Sequence, residues 1–476
     1  MVFVGGAGQL EALGNVQVAS ANNLTVAAMR SSSFLQTTGY GQTTFNGPQQ
    51  YSGGAGLAVT TLGNIAVAAA SITTSGGGAV TLVAGQRIDI GSGGDIDADG
   101  AVTLTAAGGI TTGGDILTSG DVVQINSPVL LASNVQIDTR DSTTVGNVNF
   151  SSTVDGPYRL EIFAGEVINK VAVVTFAGNV GALNGLADLD VKTDIISLKA
   201  STYKIDETSG GAQTVTFNGP VVLGTDVFFN LNGVLLDNNL SFLGTVNSDS
   251  TARSLSINTG AGVLRFDGAV GFQILGPALN NVVILSGPLA STGVIQMKGA
   301  SFLFSSASGV QVTDSGVGLL VNSGGLASFP NAIGTDVTPL ASLSIQGSSM
   351  VFGGSNIRTV GNASISTGIV TTPVLEGPGG ALNVTATTGD ITITGLIDTR
   401  GKTGISQQNG GNISIATAGG ISVAGINTSA GTDKNAGSIT LNSGNNKTIT
   451  LNGAITATGG ANGSSLSFND DVRAVS

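Results

Sequence analysis

The chain has 476 residues, 74 of them Gly and only 10% charged, with a net charge of −12 and a sequence pI near 4.3. Cys and His are both absent, which removes disulfides, thiol nucleophiles, most zinc sites and the usual serine triad. The acidic balance repels a phosphate backbone, so nucleic acid is not an expected partner, and no apolar run of about 18 residues predicts a membrane-spanning helix.

Residues 1–54 are the least regular, with one alternating piece at Leu24–Ala28 and a turn at Thr43–Pro48. Regular short coils run through residues 55–140. Leu57–Val59, Ile65–Val67 and Ser71–Thr73 lead to Gly78–Ala84 (Gly-Ala-Val-Thr-Leu-Val-Ala), which returns almost unchanged at Gly100–Ala106, 22 residues on. Between the copies lie Arg87–Ile90 and Asp95–Ala98, and Gly94-Asp95-Ile96 recurs as Gly114-Asp115-Ile116. In each piece Val80, Leu82 and Ala84 share a face predicted to point inward, with Thr81 and Val83 outward. A fixed period of this length marks units that bury their apolar faces only by stacking on their neighbours. The spacing therefore predicts an all-β fold, a β-solenoid of roughly 20–26-residue coils with three short strands each, and about 22 coils in one continuous rod.

Over residues 141–375 the signature becomes Phe-x-Gly-x-Val, at Phe176–Val180, Phe217–Val221, Phe242–Val246 and Phe266–Val270. Rings stacked coil upon coil in a wider core are expected there. Charged stretches at Asp155–Lys170 and Lys199–Glu207 read as loops or a side strand, and Ala182–Leu189, the nearest approach to a helical pattern, reads as a turn. Over residues 376–476 the short coils return, with Leu382–Val384, Ile391–Ile393, Ile413–Ile415, Ile421–Val423, Ile439–Leu441 and Ile449–Leu451.

Three sets of side chains invite a chemical reading. Asp95, Asp97 and Asp99, closed by Gly100, match the opening of a calcium loop, but the twelfth position is Ala106 where an EF-hand needs a bidentate Glu. They are expected to alternate outward around Ile96 and Ala98, leaving at most a weak surface calcium site; no other cofactor is expected. Asp138, Arg140 and Asp141, echoed by Asp398 and Arg400, come nearest to the paired carboxylates that glycoside chemistry requires, and are read as turn salt bridges. Outward threonines at Thr392 and Thr394, Thr448 and Thr450, and Thr456 and Thr458 resemble an ice- or glycan-binding ladder, interrupted by Ser414 and Ser422.

Three short strands per coil, Thr-Phe-Asn-Gly-Pro-Val at Thr216–Val221, Pro-Leu-Ala-Ser-Leu-Ser-Ile at Pro339–Ile345 and Gly-Gly-Asn-Ile-Ser-Ile at Gly410–Ile415 together resemble filamentous-haemagglutinin-like bacterial exoproteins. The resemblance implies a right-handed parallel β-helix and an adhesin on the bacterial cell surface or in the extracellular medium. The Asn-Pro motifs of that family's secretion domain are missing, as is a C-terminal barrel, so a repeat-region piece of a longer passenger is expected. The expected function is a non-catalytic structural or adhesive stalk, the alternative a polysaccharide-degrading β-helix enzyme. Expected partners are a longer parent chain or further copies joined end to end, because Met1–Val4 and Leu466–Phe468 lack an evident cap, and a host glycan or cell-surface receptor. No membrane insertion by this segment is expected.

Overall fold

Aliphatic and β-branched residues alternating with Thr, Ser and Asn, and broken every few residues by glycine turns, make short strands paired in parallel; the described residues contain no helix. The computed structural model describes residues 1–3, 5–68, 70–165, 167–206, 211–233, 236–272, 277–304, 310–313, 316–334, 338–352, 356–360, 362–371, 381–386, 390–401, 409–460 and 464–475. They form two compact units, Met1–Gly244 and Thr245–Ser476. Val4, Glu166 and Glu207, and the boundary expected at 375–376, lie outside the described residues.

In the first unit each coil contributes to three parallel ladders. The first ladder runs through Leu24–Val26, Thr43–Phe45, Ile65–Val67, Ile88–Ile90, Ile110–Thr112, Val129–Leu131 and Val154–Asp155, and continues by way of Val180 to Thr202–Lys204 and Val227–Asn230. The second includes Gln49–Tyr51, Ile72–Thr74, Ile96–Ala98, Ile116–Thr118, Val135–Asp138, Arg159–Phe163, Asp188–Lys192 and Thr214–Asn218. The third carries Leu57–Thr61, Val80–Ala84, Val102–Ala106, Val123–Ile125, Val148–Phe150, Val173–Phe176 and Ile195–Leu198. The 22-residue repeat is a true register, since Val80 pairs Val102 and Ala84 pairs Ala106. The preceding step is one residue longer than its glycines suggest, because Val80 pairs Leu57. Val80, Leu82, Ile96 and Ala98 are fully buried, as the alternation requires.

The two units together make about 17 turns rather than about 22, because loops leave the coils at corners without disturbing the ladders. A buried threonine closes the base of several such loops. Thr139 Oγ1 donates to the carbonyl of Gly146 at 2.7 Å, Thr259 to Gly262 at 2.7 Å, Thr399 to Gly411 at 2.9 Å and Thr428 to Gly437 at 2.8 Å. These clasps span 7, 3, 12 and 9 residues, yet all four threonines are 0% exposed. The hydroxyl supplies the donor that a corner carbonyl would otherwise lack, so loop length varies while the next strand starts in register.

The expected ring stacks are present. Phe150 lies over Phe176 at 5.3 Å, Tyr203 over Phe229 at 5.0 Å and Phe217 over Phe242 at 5.4 Å. The Phe-x-Gly-x-Val signature, however, serves two different corners. Phe176 closes a third-ladder strand and Val180 joins the first ladder, whereas Phe217 closes a second-ladder strand and Val221 opens the third. A large inward residue, a glycine turn and an inward β-branched residue fit either corner.

Both charged stretches turn out to contain ladder strands, Arg159–Phe163 and Thr202–Lys204, with their charges on outward positions. The opening residues are likewise regular, with strands Leu13–Ala21 and Met29–Gly39. Their alternation is concealed by polar residues pointing inward: Ser31, Gln36, Thr43, Gln49 and Tyr51 are all buried. Thr43 Oγ1 donates to Gln36 Oε1 at 2.9 Å, and the Tyr51 hydroxyl donates to Gln49 Oε1 at 2.9 Å. These bonds offset the desolvation that an apolar-only pattern avoids.

In the second unit two faces merge. Val294–Phe304 pairs with both Gly318–Ser323 and Leu326–Phe329, and Leu343–Phe352 with both of those in turn. Ala363–Thr371, Ile391–Asp398 and Ile421–Asn427 continue this ladder, with register shifts between Ile365 and Ile369 and between Ile393 and Leu396 where the strands bend. The separate short pieces expected here are therefore partly single bent strands. A second ladder joins Asn356–Thr359, Leu382–Ala386, Ile413–Thr417, Ile439–Asn442 and Leu466–Phe468.

Candidate functional site

Ile96 and Ala98 enter the core, Asp97 is exposed, and Asp95 and Asp99 are half-buried at the two corners of their strand. Neither corner carboxylate is idle. Asp95 Oδ1 accepts the Asp115 amide of the next coil at 2.9 Å, and Asp99 Oδ2 accepts the Gly77 amide of the preceding coil at 2.8 Å. The bond from Gly77, followed by one from the Ser119 side chain, holds the Asp99 carboxyl below its ordinary value. Asp115 repeats the device, its Oδ1 accepting the Gln136 amide at 2.7 Å. Among the described residues no three His, Cys, Asp or Glu side chains converge on a point that could hold a metal.

Asp138 and Arg140 close on each other, with Arg140 Nη2 at 2.7 Å and Nε at 3.0 Å from the two carboxylate oxygens. The guanidinium lies 4.3 Å over the centre of the Phe163 ring. Burial by itself would raise the Asp138 carboxyl, but the bonds and charge of Arg140 bring it below its ordinary value. Asp398 and Arg400 reproduce the arrangement at 2.6 Å and 2.9 Å, each pair flanking one of the buried clasp threonines. These two sets are thus corner fittings. Asp141 stands apart in the loop, accepting from the Thr143 hydroxyl at 2.8 Å and its amide at 3.0 Å. The Thr143 hydroxyl, then the amides of Ser142 and Thr143, lower its pKa to about 2 from 3.8.

A depressed carboxyl adds stability above its unfolded pKa and loses it as pH falls through the folded one. The turn at 141–144 is therefore expected to be intact above about pH 4 and to loosen only as pH approaches 2. An NMR titration of the Asp141 carboxyl and the Thr143 amide measures this directly; a midpoint at the ordinary 3.8 would show that the turn does not hold the charge.

Two features escaped the sequence reading. The first is a set of corner side chains that reach across to the adjacent coil. Asn64 Oδ1 accepts the Arg87 amide at 3.0 Å, Asn147 that of Val173 at 2.8 Å, Asn179 that of Thr202 at 3.1 Å and Asn412 that of Ser438 at 2.8 Å. The available signal was an Asn or Asp recurring just before a strand at one-coil intervals. The second is a charged knot on the second ladder. Arg159 lies 2.5 Å from Asp190, 3.0 Å from Glu161 and 3.4 Å from Asp188. Burial would lower the Arg159 pKa, but Asp190, Glu161 and Asp188 raise it above its ordinary value. A groove of about 270 Å³ beside it is lined by Asp115, Gln136, Arg159 and Glu161, and Glu161 also accepts from Gln136 Nε2 at 3.2 Å. Its acids are bonded to their neighbours rather than presented in pairs.

The threonine rank is observed as a mixed one: Ser364, Thr392, Ser422, Thr450 and Arg473 occupy successive positions. The chain matches no protein-family model, and no curated protein or solved structure matches it. By its fold the chain is a β-helical repeat protein, a parallel β-solenoid.

Proposed function

We propose that this solenoid is a non-catalytic structural or adhesive segment of an extracellular or bacterial cell-surface protein, of the filamentous-haemagglutinin-like kind that its sequence resembles. The observation that carries the reading is the commitment of its carboxylates. Asp95, Asp99 and Asp115 bind backbone amides of adjacent coils, while Asp138, Asp398, Glu161, Asp188 and Asp190 pair with arginines. General acid–base cleavage of a glycan needs two carboxyl groups facing one bond, one of them free to give up or take a proton. Side chains that already hold coils together are poorly placed for that work. On this reading no cofactor is required, and Asp95, Asp97 and Asp99 would hold calcium only weakly, since two of the three are already hydrogen-bonded.

The alternative, a polysaccharide-degrading enzyme, is separated by incubating the protein with polygalacturonate and following reducing ends. No product is expected. Products that disappear in Asp138→Ala would overturn the structural reading.

A further inference from the structure

The outward face of the first ladder carries a groove of about 290 Å³ that none of the foregoing uses. Its floor is the rank Thr111, Leu130 and Asp155 on three successive coils, and Arg87 stands at one end. At the other end the 181–187 segment folds over Asp155, placing Leu183 and Asn184 on the lip. Asp155 decides the chemistry. It is 5% exposed, and its Oδ1 accepts the amides of Leu183 at 2.8 Å and Asn184 at 3.4 Å. Its Oδ2 receives no hydrogen bond from the described residues. A buried carboxylate fixed at one oxygen and unpartnered at the other, on the wall of a groove, is a preorganised acceptor for a ligand donor.

The rest of the groove says what kind of donor. Leu130 and Leu183, 40% and 83% exposed, offer aliphatic surface of the sort that covers the C–H face of a sugar ring. Thr111 and Asn184 add uncharged hydrogen-bonding groups. Arg87 is already engaged, its Nη2 donating to Thr111 Oγ1 at 2.5 Å and its Nε lying 3.5 Å from Asp89, so the groove offers a carboxylated ligand no free cation to offset Asp155. Resting on the adhesive reading above, we propose that this groove binds an uncharged hexose or a short neutral oligosaccharide, with hydroxyls on Asp155 Oδ2 and the ring against Leu130 and Leu183. It binds without cleaving. The other carboxylate of this rank, Asp89, is three coil steps from Asp155, about 14 Å at roughly 4.8 Å per strand, whereas paired glycosidase carboxyls lie about 5–9.5 Å apart.

The test is saturation-transfer NMR and calorimetry on the full chain with cellobiose, lactose and mannobiose, and with digalacturonate as the charged control. At least one neutral disaccharide should bind saturably and digalacturonate should not. Asp155→Asn keeps Oδ1 as acceptor for the two amides but turns the free oxygen into a donor, and should weaken binding by about tenfold or more. Leu183→Ala, at an exposed position, should weaken it with melting unchanged, which guards against a misfolded first variant. No saturable binding by any neutral sugar, a preference for digalacturonate, or unchanged affinity in both variants overturns the site while leaving the adhesive reading standing. Cleavage products in the same tubes would instead overturn the non-catalytic reading.

Discussion

Ile391→Asp should cost more than about 4 kcal/mol and remove most of the cooperative melting of the ladder around it, while Thr392→Asp beside it should change stability by no more than about 0.5 kcal/mol. Ile391 is fully buried, in register with Ala363 on one side and Ile421 on the other, and Ile421 is in turn paired with Ile449. A carboxylate there has no partner, so it must either lose its solvation or gain a proton, and both outcomes weigh against a total stability of about 5–15 kcal/mol for a domain. Thr392 points the other way, is half-buried, and is in register with Ser364 and Ser422 on the neighbouring coils. Thermal melts followed by circular dichroism compare the two. Equal losses would mean that the inward and outward faces are reversed.

Phe229→Ala should cost about 3–5 kcal/mol, against less than about 1 kcal/mol for Phe228→Ala. Phe229 is 0% exposed, stacks on Tyr203 at 5.0 Å, and meets Phe217 and Phe242 edge-on at 5.5 Å each. Removing its ring opens a void bordered by three other rings, Tyr203 on the adjacent coil of the same ladder and Phe217 and Phe242 on the second ladder, which cannot close because their strands are pinned in register. Phe228 is 37% exposed on the outward side of the same strand. Urea titration gives both numbers, and similar losses from the two would contradict the aromatic column.

The inward positions of the regular coils were legible because one residue in two is aliphatic there and the period of two survives for three to five residues at a time: Val80, Leu82 and Ala84 against Thr81 and Val83 is the model case. Legibility failed where the core itself is polar. Gln36, Thr43 and Gln49 occupy positions that the following coils fill with Val59, Ile65 and Ile72, so the opening strands look irregular in sequence although they pair in parallel with the next coil, with one register shift between Gln36 and Gly39. It failed again at loops, since a clasp such as Thr139 with Gly146 is a contact across 7 residues that no local period encodes, and the count of coils came out too high. Among candidate sites, the alternation around Asp95, Asp97 and Asp99 was readable from the strand period, and so was the pairing of Asp138 with Arg140 from their spacing. The groove over Thr111, Leu130 and Asp155 was not, because its successive residues are 19 and 25 positions apart in the chain and meet only through register.

In the first unit the third ladder continues beneath the loop that leaves it between Thr139 and Gly146. Hydrogen exchange on the intact chain measures this continuity on the strands Val102–Ala106, Val123–Ile125 and Val148–Phe150, which bracket the loop at residues 140–145. These three strands are expected to be protected together and to open in one step, while the amides at 142–144, held by one exposed carboxylate, exchange faster than the strands. Exchange of Val148–Phe150 as fast as the loop, with Val102–Ala106 still protected, would show that the ladder ends at the clasp and does not continue beneath the loop.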